Sequence, residues 1–129
     1  MKHGWKDHIG VVGTLPYLPE DRVTITGWYS GVNTDLRVIS AGKVFLMLYA
    51  SIGATATAVG SNYVYLNVNN AAGGLIYQVA ALFMRDIETK NVVIPMHFPL
   101  EINAGEKINI AVTTNCGAMI SIYGVERNV

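Results

Sequence analysis

The sequence predicts an all-β fold: a single-domain antiparallel β-sandwich of about eight strands, preceded by an extended N-terminal arm. Three observations predict it. No capped run with apolar residues at i, i+3, i+4 and i+7 beats alternation; Leu75 to Arg85 could be helical by propensity, but its β-branched and aromatic start after "NAAGG" favours a strand. Turn-forming clusters recur at short intervals along the chain. The stretches between them either alternate apolar with polar residues or are rich in β-branched and aromatic ones. A chain of 129 residues is of single-domain size, able to bury roughly two-thirds of its unfolded surface without staples.

The arm comes first. "TLPYLPED", Thr14 to Asp21, carries two prolines that remove ladder donors and favour extended backbone, which sets residues 1–21 apart as an arm. Strands follow at about 22–29, 35–40, 43–52, 62–69, 75–85, 92–102, 106–114 and 118–126. Between them lie "SGVNTD", "SAGK", "GSN", "NNAAGG", "ETKN", "NAGE" and "TNCGA". Eight short strands with irregular turns predict a sandwich, jelly-roll-like in architecture. The clearest local pattern is a closing hairpin. Ile108, Ile110 and Val112 alternate with Asn109, Ala111 and Thr113, then Ile120 and Ile122 with Ser121 and Tyr123.

The middle of the chain breaks that alternation. Between Val44 and Met84 there are 41 residues without Asp, Glu, Lys, Arg or His. In "KVFLMLYAS", Val44, Leu46, Leu48 and Ala50 form one face and Phe45, Met47 and Tyr49 the other. Val64, Leu66 and Val68 oppose Tyr63, Tyr65 and Asn67, and the 75–84 run is apolar on both faces apart from Gln78. A sandwich interior covers only one face of each sheet. The second faces predict an oligomer interface, most simply a closed ring such as a homotrimer, through Phe45, Met47, Tyr49, Tyr63, Tyr65, Ile76, Leu82 and Met84. The alternative is self-coverage by the arm, whose Trp5, Ile9, Val11, Leu15, Tyr17 and Leu18 could instead contact a larger assembly.

Composition agrees with a chain that lives packed against others. Charged residues are 14% and mean hydropathy is +0.34, against about 25% charged residues in an average domain. Nine basic and nine acidic residues give zero formal net charge, which offers no long-range attraction to nucleic acid or an anionic membrane. The longest apolar window, Val44 to Gly60, is interrupted by Ser51, Gly53, Thr55 and Thr57, so no membrane span is expected. "MKHGWKDHIGVVG" lacks the apolar stretch of a secretory signal.

Catalytic chemistry finds no purchase. His3 and His8 lie in the arm, and His97 stands alone between two prolines; no metal-ligand spacing results. Glu20/Asp21, Asp86/Glu88 and Glu101/Glu106 sit at turns or strand ends. Cys116 is the only cysteine, and "TTNCGA" places it in a turn without a neighbouring base. No catalytic residue, metal ligand or cofactor is expected. A second function class, a carbohydrate- or receptor-binding module, would use exposed aromatics, and Trp28 and Tyr29 are its candidate platform.

The last third, "FPLEINAGEKINIAVTTNCGAMISIYGVE", resembles the closing strands of small trimeric jelly rolls. These include the tumour-necrosis-factor/C1q-like domains and the head-decoration and fibre-head proteins of tailed bacteriophages. The pattern is L-x-I-x-A-G-E-x-I-x-I, a polar turn and a final apolar strand. The resemblance implies self-association and a structural or adhesive role, with other virion or capsid proteins as partners. Without a signal peptide or collagen-like stalk, it implies a virion protein made in a host cytoplasm, a capsid decoration for example.

Overall fold

In a computed structural model, residues 21–129 are described; the arm expectations for Trp5, Ile9, Val11, Leu15, Tyr17 and Leu18 lie outside them. Eight strands form: β1 Arg22–Ser30, β2 Asn33–Val38, β3 Lys43–Ala56, β4 Asn62–Asn69, β5 Leu75–Met84, β6 Thr89–Asn103, β7 Lys107–Val112 and β8 Cys116–Asn128. Turn chemistry sets their limits. Between β4 and β5 the Asn70 side chain accepts from the Gly74 amide at 2.8 Å, while Gly73 takes φ of 93°, a conformation glycine adopts without Cβ strain. Gly105, at φ of 84°, likewise turns the chain between β6 and β7.

The strands make two four-stranded sheets, β1-β8-β3-β6 and β2-β7-β4-β5, with every pairing antiparallel. This order defines a jelly roll. Only the β4–β5 connection stays within a sheet; the other six cross from one sheet to the other. The expected closing hairpin is therefore corrected. β7 pairs with β2 and β4, while β8 pairs with β1 and β3. Alternation told correctly that each strand has one inward face. It could not tell a hairpin from an arch over the end of the sandwich, because both leave that face inward. Cys116 is also not in the turn: it opens β8 and is buried.

The core lies between the sheets. Ile52, Ile102, Ile120 and Ile122 from the first sheet meet Val64, Leu66, Ile108 and Ile110 from the second, all fully buried. Burying each such side chain stabilises the fold by about 1.5–3 kcal/mol. A latch crosses the gap at one end, where the Arg37 guanidinium of β2 donates two hydrogen bonds, at 3.0 and 3.2 Å, to the Glu126 carboxylate of β8. The same guanidinium lies 5.9 Å from the Phe45 ring centroid.

One inward group is poorly matched to its surroundings. Tyr77, opposite Val68, buries its hydroxyl with no hydrogen-bond partner among the described residues. Burial, and secondarily the Glu106 carboxylate, push its pKa above the usual tyrosine value. The native state therefore holds this proton more tightly than the unfolded chain. The associated stability is intact below the ordinary tyrosine range and declines as pH rises through about 10 toward the folded value. Tyr77→Phe is expected to match or exceed the wild type by about 1 kcal/mol at neutral pH, and to lose less above pH ~10. Urea midpoints at the two pH values test this, and a clear loss at neutral pH would contradict it.

Candidate interaction surface

Three irregularities decide which side chains reach the outside. In β3 the register shifts between Met47 and Tyr49, so Leu48 is an extra residue and the inward parity changes across it. Before the bulge Phe45 and Met47 point inward; after it Ala50, Ile52, Ala54 and Ala56 do. In β5 the register shifts opposite Leu66/Asn67 and again opposite Val68/Asn69. Phe45, Met47 and Met84 are consequently fully buried core residues. This corrects the expectation that they line an outer face. Leu82 points inward opposite Val64 and packs against the core. Tyr49, Tyr63, Tyr65 and Ile76 remain on the outside.

Trp28 and Tyr29 are adjacent on one strand and so point to opposite sides of the sheet. Tyr29 packs inward against the core beside Gly27. Trp28 faces out, and its indole lies across Gly117 so closely that a Cβ there would overlap the ring. The expected two-residue platform is thus split, and only Trp28 is presented.

The register places three outward rows across the first sheet. They are Trp28–Met119–Gly53–Asn91, Thr26–Ser121–Ser51–Val93 and Thr24–Tyr123–Tyr49–Pro95. None of these twelve positions carries a formal charge. Trp28 is 55% exposed, Met119 52% and Val93 58%, and the Tyr49 and Tyr123 rings meet at 5.3 Å. Small residues between them keep the surface low. At the same edge, four residues of β6, Met96 to Pro99, are unmatched opposite Leu48. They leave Phe98 87% exposed. Pro95 and Pro99 cannot donate to a ladder, which suits an edge strand.

The outer face of the second sheet differs. A polar row, Asp35–Asn109–Asn67–Gln78, crosses it. It is joined by hydrogen bonds from the Asn109 amide to Asp35 at 3.0 Å and from the Gln78 amide to Asn67 at 3.2 Å. Beyond it Tyr63 and Tyr65 stack at 4.2 Å, and Phe83 meets Tyr65 edge-on at 5.6 Å.

Of the residues considered for chemistry, His3, His8 and Glu20 lie outside the described residues. His97 is exposed on edge strand β6, and Glu106 closes the β6–β7 turn by accepting from the Asn103 amide at 2.7 Å. Glu88 accepts from the Asp86 amide in the β5–β6 turn. Burial pushes the Cys116 thiol pKa up, away from thiolate reactivity. Among the described residues no three or more His, Cys, Asp or Glu side chains gather as a metal site. No helix of the described residues is long and apolar enough to cross a membrane.

The jelly roll is therefore the class of protein that the strand order defines. No protein-family model matches the chain, and no curated protein matches it. Solved structures with a related backbone include viral coat proteins. The tobacco streak virus coat protein dimer is 13% identical, with a TM-score of 0.40, over 88% of this chain and 91% of that one. A pentameric capsid protein from metagenomic phage sequences is 10% identical, with a TM-score of 0.39, over 88% of this chain and 64% of that one. The arabinose-bound α-L-arabinofuranosidase MgGH51 is 8% identical, with a TM-score of 0.41, over 79% of this chain but only 17% of the enzyme. Likenesses at these scores carry nothing about what this chain does.

Proposed function

We propose that this chain is a non-enzymatic structural jelly roll that associates with copies of itself through the outer face of its first sheet. The observation that carries the reading is the set of twelve uncharged outward positions around Trp28, Met119, Tyr49 and Tyr123. Three rows on four strands span on the order of 400 Å². A standard interface takes about 800 Å² from each partner. Phe98, projecting at the same edge, supplies apolar area toward the difference.

The assembly served is a shell in which many weak contacts act together, a virion surface such as a phage capsid decoration. Residues 1–21, whose sequence is rich in apolar side chains, are its proposed second contact. In such an array each added copy meets neighbours at high effective concentration, so modest pairwise contacts hold a stable lattice. The proposed oligomer is a closed ring such as a trimer, in which one part of this face meets a different part of the same face on the next copy around the axis, so that the contact closes.

Light scattering on the purified chain across about 1–100 μM, the range in which such pairwise contacts populate, tests the reading. The expected result is a mass above the monomer's at the upper concentrations. A monomer throughout would overturn it.

A further inference from the structure

At the end of the sandwich where β7 arches to β8, a groove runs between three loops. They are Gly31–Val32, Val59–Ser61 and Thr113–Asn115, and the open groove between them has a volume of about 520 Å³. Ser61, Asn62 and Tyr63 also line a second cavity of about 320 Å³, together with Tyr65, Phe83 and Arg85. Pockets of a few hundred Å³ with an apolar wall and a few placed polar groups are the usual form of small-ligand sites.

The walls are tied to one another. The Thr57 amide donates to the Asn115 carbonyl at 2.8 Å, the Gly60 amide to the Arg85 carbonyl at 2.9 Å, and the Val112 amide to the Val32 carbonyl at 2.7 Å. On the floor, the Asn62 side chain donates to the Ala58 carbonyl at 2.6 Å and the Tyr63 amide to the Thr113 hydroxyl at 3.0 Å. The loops are thus held in place before any ligand arrives, which lowers the ordering cost of binding.

Two chemical features select the ligand. Tyr63, Tyr65 and Phe83 present a contiguous aromatic wall, with Phe83 57% exposed. The rest of the lining mixes hydroxyl, amide and backbone groups with the apolar side chains of Val32, Val59, Ala111, Val112 and Met84, and Arg85 is its single formal charge. A nucleotide phosphate or an acidic peptide would call for several cations. A saccharide calls for what is there: an aromatic surface for the C–H face of a sugar ring, and neutral donors and acceptors for its hydroxyls.

We propose that this groove binds a short uncharged oligosaccharide, with a sugar ring against Tyr65 and Phe83 and its hydroxyls bonded by Ser61, Asn115 and Arg85. The site lies away from the outer face of the first sheet, so it stands or falls separately from self-association. The test is a glycan array probed with the labelled full chain, followed by calorimetric titration of the neutral oligosaccharides that bind. Phe83→Ala and Tyr65→Ala are each expected to weaken binding tenfold or more. Trp28→Ala is expected to leave it unchanged, with light scattering on every variant reporting association independently. Phe83 is exposed, so its variant keeps the test open if Tyr65→Ala does not fold. An array silent for neutral glycans, or binding that survives Phe83→Ala, would overturn the proposal.

Discussion

Replacing Phe45 by alanine is expected to cost about 3–5 kcal/mol of folding stability, the range for deleting a buried phenyl ring. The ring is fully buried and its inward neighbours across the sheet are Ile102 on one side and Glu126 on the other. Its edge fills the space a Cβ on Gly124 would take, and the Leu46 carbonyl closes the same space from the backbone. Flexible side chains could relax into part of the cavity, but the backbone at Gly124 and Leu46 cannot follow. Small domains are held by only about 5–15 kcal/mol, so the variant is expected to be marginal at 37 °C. Urea unfolding at constant m-value measures the loss. Gly124→Ala is expected to be costly even in the Phe45→Ala background, because its second close approach is to backbone. A Phe45→Ala variant that lost less than about 1 kcal/mol, well below the cost of a buried ring, would mean that the ring is not in the core.

That prediction marks where the sequence was legible and where it was not. Turn residues were readable: the strands expected at 62–69, 75–85 and 22–29 match β4, β5 and β1 to within a residue, because glycine and asparagine report local backbone needs directly. Face assignment was not. A run apolar at every position, such as "VFLMLYA", permits two inward parities, and one extra residue exchanges them. The bulge at Leu48 leaves no mark in a sequence already apolar on both sides. Much of the surplus apolar character in β3 is therefore the signature of a parity change, with Phe45 and Met47 serving the core on one side of it and Ala50 and Ile52 on the other. What remains outside of the expected set is smaller and more local: Tyr49 beside Tyr123, Tyr63 beside Tyr65, and Ile76.

Strand order was equally hidden. Polar-turn chemistry at "TTNCGA" is the same whether the chain doubles back within a sheet or arches across. Only long-range pairing, β7 with β2 and β4 and β8 with β1 and β3, decides between them. The end groove follows from that arch, since its walls come from chain segments as far apart as Gly31, Gly60 and Asn115. No local pattern could have announced it. Tyr63 and Tyr65 were visible as outward aromatics, but their meeting with Phe83 depends on the β4–β5 register.

The sharpest test of the outer face is a charge at its centre. Met119 sits on β8 between Trp28 and Gly53, half exposed, with no charged residue in its own row or the two that follow. Met119→Glu is expected to leave the isolated fold within about 0.5 kcal/mol of the wild type, as for other exposed substitutions. In the assembled state the carboxylate would be desolvated without a cation to meet it. An uncompensated buried charge costs about 3–5 kcal/mol, and every 1.4 kcal/mol is tenfold in affinity, so association should weaken by a hundredfold or more. Phe83→Glu, an equally exposed apolar residue on the opposite sheet, supplies the comparison. If the first sheet is the interface, light scattering should show Met119→Glu monomeric at concentrations where the wild type and Phe83→Glu still assemble. If the two variants dissociate alike, the lost attraction is general hydrophobicity and not this face. If Met119→Glu assembles like the wild type, the twelve uncharged positions are a free surface and the contact lies elsewhere on the chain.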